Sequence, residues 1–216
     1  KECVHSVLNQ TYPDFQLHIL ENCSNDGTRE WLDSLSDVRI EIIHSPQVLS
    51  IEENWARIVG LSKNEFMTMI GHDDVLEPFF LEEMNRLINE YPDAGLYLAH
   101  FNYINHKGEF LRKCKAMRSA YTFENYLEGI LKNELDINGT GYVLRSTDYD
   151  KIGGIPKLPK LLYADYVLWL ETLRHSSYMA VSGKFCFSYR IHQSMTSVSR
   201  DVDLQSAFLK FVGYLT

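Results

Sequence analysis

The spacing of apolar positions divides the first hundred residues into two alternating patterns. Short apolar runs of strand length occur at 16–20 (QLHIL), 39–43 (RIEII), 66–70 (FMTMI) and 96–99 (LYLA). Between them, residues 27–35, 52–62 and 78–91 carry apolar side chains at helical spacing. That rhythm predicts βαβ units, and hence an α/β protein with a mostly parallel sheet flanked by helices.

Local signals place the element ends. Ser24, Asn25 or Asp26 is suited to cap the helix carrying Glu30, Trp31, Leu32 and Leu35, and Ser50 with Glu53 has the spacing of a capping box. Pro78 fits a first helical turn, and Tyr91-Pro92-Asp93-Ala94-Gly95 ends that helix. Beyond residue 100 the pattern is less regular. It predicts a hairpin turn at Asn105-His106-Lys107-Gly108, a helix near 122–133, a strand opened by Gly139-Thr140-Gly141, and a helix over 163–175. No repeat or linker divides residues 1–216, so one domain is expected. Residues 1–10 read as a helix with no strand ahead of it, which suggests that the first strand of a doubly wound sheet is missing.

Composition narrows the function classes. The chain has 216 residues, 45% of them hydrophobic and 12% aromatic, as a globular domain requires. Its net charge of minus 8, with no run of Lys or Arg, argues against a nucleic-acid partner. Cys3, Cys23, Cys114 and Cys186 are scattered without a CxxC pair, which favours a reducing compartment and small buried thiols over disulfides or zinc. No window approaches the ~18 apolar residues of a membrane span, and no signal peptide is visible. Asn22-Cys23-Ser24 and Asn138-Gly139-Thr140 fit the glycosylation pattern, which matters only in a secreted chain.

Ligands of open α/β sheets sit beyond the carboxyl ends of the strands. Two acid-bearing segments fall at such ends: Glu21-Asn22-Cys23-Ser24-Asn25-Asp26-Gly27-Thr28 and Gly71-His72-Asp73-Asp74. Adjacent carboxylates repel each other unless a cation, a shared proton or solvent relieves them, and their oxygens suit Mg²⁺ or Mn²⁺. Spacing alone favours the plainer arrangement in which Asp74 caps the following helix while Asp73 is solvated.

The stretches SVLNQTYPDFQLHILENCSNDGT and MIGHDDVLEP together resemble the family 2 glycosyltransferases, closely over residues 2–92 and more loosely to about residue 195 through ADYVLWL and YRIH. The family signature has a helix ending S-x-x-x-Q-T-Y, then D-D-G-S-x-D-G-T, then a strand ending D-x-D-D. The resemblance implies a GT-A fold, a nucleotide-diphosphate sugar donor, Mn²⁺ or Mg²⁺, and transfer with inversion. Residues 1–100 would hold the donor and 101–216 the acceptor, a saccharide or lipid-linked sugar. Synthesis of a surface polysaccharide, in the cytoplasm or peripherally at the inner face of the membrane, is the setting it suggests.

Residue by residue, the resemblance puts Glu21 and Asn22 at the acids facing base and ribose, and Asp26 at the acid before Gly27-Thr28. Asn54 falls where a polar helix residue meets the nucleotide, with Trp55 and Trp31 expected in the core. Asp73 is expected toward the ribose or the metal's water shell, Asp74 as the direct metal ligand, and His192 near the metal or diphosphate. Arg190 is a weaker phosphate candidate, and His72 an exposed strand-end residue. Asp165, at a helix start in YADYVLW, is the expected general base. Gly139-Thr140-Gly141 is a candidate wall of the sugar or acceptor pocket, or a plain glycine-flanked turn. Gly71 in place of the first acid of D-x-D-D, and Asn22-Cys23 in place of Asp-Gly, depart from the signature. Two other readings remain open: a sugar nucleotidyltransferase, and a non-catalytic nucleotide-sugar-binding module.

Overall fold

The computed structural model describes residues 1–191 and 201–215. Helix α1 (Glu2–Leu8) is followed by β1 (Leu17–Glu21), α2 (Thr28–Asp33), β2 (Ile40–His44), α3 (Ile51–Ala56), β3 (Phe66–Thr68), β4 (Val75–Leu76) and α4 (Phe80–Glu90). The long strand β5 (Leu96–Ile104) then begins the second half, with β6 (Phe110–Lys113), β7 (Ala120–Tyr121), α5 (Phe123–Leu131), β8 (Tyr142–Arg145), α6 (Ser146–Ile152), α7 (Ala164–Arg174), β9 (Met179–Arg190) and α8 (Asp201–Leu215). The alternation read from the sequence is present. The capping box at Ser50 is formed on both sides, from the Glu53 N–H to the Ser50 hydroxyl and from the Ser50 N–H back to the Glu53 carboxylate. Each such cap stabilises its helix by ~1 kcal/mol.

Strand direction departs from the expectation. β1 pairs with β2 in parallel, as does β5 with β9, whereas β3–β8, β8–β5, β5–β6, β4–β9 and β7–β9 are antiparallel. The sheet is therefore mixed, with β1 and β2 forming a two-stranded sheet and the other seven ordered β3-β8-β5-β9-β4, β6 on β5 and β7 on β9. Local periodicity says that a segment is a strand but not which neighbour it meets. Here β8 arrives late in the chain and inserts between β3 and β5 against both.

The core lies on β5 and β9 and under two helices. α4 buries Phe80, Met84 and Leu87 at i, i+4 and i+7, one stripe of an amphipathic helix. α7 buries Ala164, Val167, Leu168, Trp169, Leu170 and Leu173, positions that run round the whole helix, so it is an interior element. Trp169 stacks on Tyr142 with centroids 4.2 Å apart and donates its Nε1–H to the Asn138 carbonyl at 3.0 Å. This contact holds α7, one turn after Asp165, against the approach to β8. Phe101 of β5 stacks on Phe187 of β9 at 4.8 Å. Cys3, Cys114 and Cys186 are buried thiols and Cys23 is partly buried, all unbridged. No helix among the described residues is long and apolar enough to cross a membrane.

Gly141, at the entrance to β8, has φ +85°, and a Cβ there would be driven into the Phe187 ring. Gly141→Ala is expected to destabilise the fold by about 3 kcal/mol, combining left-handed strain with overpacking. Urea denaturation checks this, and an unchanged midpoint would show that the β8 approach adapts.

Candidate active site

At the end of β1, the chain turns to use its own polar groups. The Glu21 carboxylate is buried and accepts the Ser24 N–H at 2.5 Å, while His44 Nδ1 lies 3.0 Å from its other oxygen and His44 Nε2 lies 2.9 Å from Asp33. Burial pushes the Glu21 carboxyl up, but the hydrogen bonds from Ser24 and His44 outweigh it and hold the group down at about 2. Asn22 is locked onto one backbone residue: its Nδ2 donates to the Leu49 carbonyl at 3.0 Å and its Oδ1 accepts the Leu49 N–H at 2.9 Å. Asn54 Oδ1 accepts from Arg57 Nη1, whose guanidinium also donates to the carbonyls of Glu21 and Ile43. Thus Asn54 is brought to the end of β1, and Arg57, which sequence reading passed over, is the residue that joins it to the Glu21 carbonyl, while Asn22 is held separately by Leu49. An arginine one turn after Asn54 was the available signal.

Asp26 stands apart on the exposed loop, where its Oδ1 accepts the Thr28 N–H at 3.1 Å. Hydrogen bonds from the Thr28 hydroxyl and N–H lower its pKa. None of the three expected helix caps is used: the residue preceding α2 is Gly27 in the left-handed region.

The second segment forms the other corner. Asp74 is 2% exposed. Its Oδ2 accepts the Thr140 hydroxyl at 2.5 Å and its Oδ1 accepts the Arg190 N–H at 2.9 Å. Thr140 Oγ1 in turn accepts the Gly71 N–H at 3.2 Å. Burial pushes the Asp74 carboxyl up to about 6, against the opposing pull of these two donors. The helix-cap alternative is thereby removed, since α4 starts after Phe79 with no side-chain cap. Asp73 is the more accessible carboxylate of the pair, and His72 is exposed as expected. Gly71 has a packing reason: a Cβ there would lie 2.8 Å from Asp73 Oδ1 and 3.3 Å from Asp74 Oδ2. The residue that replaces the first acid of the signature leaves room for the other two.

Arg190 is not disposed as a phosphate ligand. Its Nε donates to the Asp73 carbonyl at 2.7 Å, Nη1 to the Asn105 carbonyl at 3.0 Å, and Nη2 to Glu2 at 2.6 Å. Its side chain is only 10% exposed, because it ties α1 and the β5–β6 turn to the carboxylate corner. His192 lies outside the described residues.

Asp165 sits in the first turn of α7, its Oδ1 accepting the Tyr166 N–H at 3.0 Å. Burial lifts its carboxyl to about 6. Tyr189 of β9 lies within electrostatic reach of the acids: burial raises its hydroxyl to about 12, with the charges of Asp74, Asp165 and Asp73 adding to the effect. One phenol therefore feels all three carboxylates. Neither Tyr189 nor the hydrogen-bonding role of Thr140 was read from the sequence. Among the described residues no group of three His, Cys, Asp or Glu is disposed to hold a metal.

The family model for glycosyl transferase family 2 matches residues 1–153. The chain belongs to that family. It is 35% identical over 155 residues to TuaG of Bacillus subtilis, a glycosyltransferase named for teichuronic acid biosynthesis, covering 66% of this chain and 59% of TuaG. It is 23% identical over 206 residues to Escherichia coli WfgD, named as a UDP-Glc:alpha-D-GlcNAc-diphosphoundecaprenol beta-1,3-glucosyltransferase, covering 94% of this chain and 76% of WfgD. The structure of S. aureus TarS 1–349 in complex with UDP-GlcNAc superposes with a TM-score of 0.79 at 14% identity, over 99% of this chain and 62% of that one. The fold is thus that of the GT-A glycosyltransferases. Another relative, GlyG of Streptococcus pneumoniae, is matched over only 37% of its length.

The raised pKa of Asp165 has a signed consequence. Between its unfolded value of 3.8 and about 6 the folded chain binds the proton more tightly, so this group makes stability fall as pH rises through that window. Asp165→Asn is expected to remove that part of the fall, measured as denaturation midpoints at pH 4, 6 and 8 (about those values). A slope identical to wild type would show that Asp165 is not desolvated.

Proposed function

We propose that this chain transfers a sugar from a nucleotide-diphosphate sugar to a hydroxyl of a saccharide or lipid-linked acceptor, with inversion, in the synthesis of a surface polysaccharide. The reading is carried by one observation: a family 2 chain brings the Asp73–Asp74 pair and Asp165, from segments distant in sequence, within electrostatic reach of the same side chain, Tyr189. The UDP-GlcNAc complex of TarS and the lipid-linked substrate in the name of WfgD support it by analogy. Residues 1–100 take the donor and 101–216 the acceptor, at the inner face of the membrane.

In this reading the acceptor hydroxyl attacks the anomeric carbon from the face opposite the diphosphate, and its proton passes to Asp165. A carboxyl held at about 6 is ionised at neutral pH yet more basic than a free aspartate, as a general base requires. Mg²⁺ is commonly held by one or two carboxylates plus substrate phosphates, so the hard oxygens of Asp73 would fit it without further protein ligands. We assign the accessible Asp73 to face the metal and diphosphate, exchanging the roles first expected, because Asp74 is enclosed and both its oxygens already accept hydrogen bonds. When bound, such an ion stabilises charge on the leaving diphosphate oxygen as a Lewis acid. Asn22 and Asn54 shape the nucleotide side through the loop they lock, and Asp26 and Glu21 stiffen it.

Asp165→Asn is expected to lower kcat by about a hundredfold or more while nucleotide affinity stays within a few-fold. Asp73→Ala is expected to weaken Mn²⁺-dependent binding of the nucleotide instead, read by titration calorimetry. Near-normal transfer by Asp165→Asn would remove it as the base, and tight nucleotide binding without turnover by wild type would favour a binding module.

A further inference from the structure

The chain is acidic overall, yet one stretch is not. Residues 106–118 hold Lys107, Arg112, Lys113, Lys115 and Arg118 against the single acid Glu109. They include the β5–β6 turn and all of β6, whose residues Phe110, Leu111, Arg112 and Lys113 are every one exposed. A strand usually hides alternate side chains, but this one hides none. Phe110 is 60% and Leu111 49% exposed, at the irregularity where Phe110 pairs with Ile104 and Leu111 has no partner in the β5–β6 register.

The hairpin tip is nevertheless rigid. Asn105 Oδ1 accepts the N–H groups of Lys107 and Glu109 at 2.8 and 3.0 Å, and the Gly108 N–H donates to the Asn105 carbonyl at 3.0 Å. That carbonyl also accepts Arg190 Nη1, which joins the hairpin to the carboxylate corner. Of the five cations only Arg112 is ion-paired among the described residues, to Asp136. Lys115 bonds to Asn133, which carries no charge, and Lys113 lies 4.6 Å over the Phe185 ring. Glu109 hydrogen-bonds the neutral Asn105 and keeps its charge, Glu2 is paired with Arg190, and Asp136 and Glu128 lie within electrostatic reach of Lys115 and Arg118; within residues 106–118 the cations still outnumber the acid five to one.

We propose that the β5–β6 hairpin is a membrane-docking element, which inserts Phe110 and Leu111 at the headgroup level of an anionic lipid surface while Lys107, Lys113, Lys115 and Arg118 meet the lipid phosphates. Stable peripheral attachment needs two signals, apolar insertion and a basic patch, and this hairpin presents both within thirteen residues. A planar surface can meet this exposed turn and strand alone, so the acidic remainder of the chain need not enter the contact. A nucleic-acid strand would have to extend from the tip along that acidic remainder, which repels it. The inference rests on the reading above only in that a lipid-linked acceptor gives the docking its purpose. Docking there places the corner tied by Arg190 close to the bilayer.

The test is co-sedimentation of the chain with vesicles of phosphatidylglycerol and phosphatidylcholine, and of phosphatidylcholine alone, with thermal shift by UDP-sugars measured in parallel. Wild type is expected to bind the anionic vesicles alone, less so as salt rises. Phe110→Ser with Leu111→Ser should abolish binding, and each of Lys107→Gln, Lys113→Gln and Arg118→Gln should weaken it by roughly fivefold. Leu209→Ser, at a 70% exposed apolar position on α8, should bind as wild type. The proposal is overturned if wild type binds both vesicle types or neither, if the hairpin variants bind normally, or if the Leu209 variant alone loses binding. It is overturned too if Phe110 and Leu111 prove to hold a dimer in solution, or if an oligonucleotide displaces the vesicles. Nucleotide-sugar binding without vesicle binding sinks the docking proposal alone; vesicle binding without nucleotide-sugar binding supports it and sinks the preceding reading instead.

Discussion

The arrangement of the site depends on one buried carboxylate. Asp74 sits where three remote segments meet: the turn after β3 that carries it, the approach to β8 that supplies the Thr140 hydroxyl, and the end of β9 that supplies the Arg190 N–H. A buried ionised carboxylate without partners costs several kcal/mol, whereas each hydrogen bond to a charged group returns about 1.5–3 kcal/mol. These segments are therefore held together by the cost of leaving Asp74 unsatisfied. The residual strain of that burial is visible in its elevated pKa, which its two donors reduce but do not cancel.

From that clasp the rest of the corner follows. Gly71 leaves the volume that the Asp73 and Asp74 carboxylates occupy, and its N–H completes the link to Thr140. Arg190 continues outward from the same point, fixing the Asp73 carbonyl, the β5–β6 turn and α1 with one guanidinium. Its five fixed donors make it suited to join backbone carbonyls and a carboxylate at once, a geometry lysine lacks. A hairpin with little core of its own thereby acquires a defined position beside the candidate site.

Much of this was legible beforehand, for physical reasons that differ from element to element. The alternation of strands and helices follows from local side-chain periodicity, and the Ser50–Glu53 cap from a spacing of three residues, so both were readable. The second acid pair, and Asp165 at a helix start, stood out because carboxylates beside apolar runs need an explanation. Arg190 was misread because a cation after a strand looks like a phosphate ligand until its partners are known. Asp73 and Asp74 could not be ranked from sequence, because adjacent residues of one type differ only in what surrounds them.

By itself, the sequence determined the element types, the α/β class, the family and the set of acids at strand ends, since each is encoded in neighbouring residues or in a short motif. The tertiary structure alone decided the mixed strand directions, the burial of Asp74 by Thr140, and the exposure of every side chain of β6. Those outcomes come from contacts between segments separated in the chain, such as the 66 and 116 positions between Asp74 and its partners Thr140 and Arg190, and from which faces the fold leaves uncovered. Local pattern carries no information about either, because it fixes what a segment is and not what it meets.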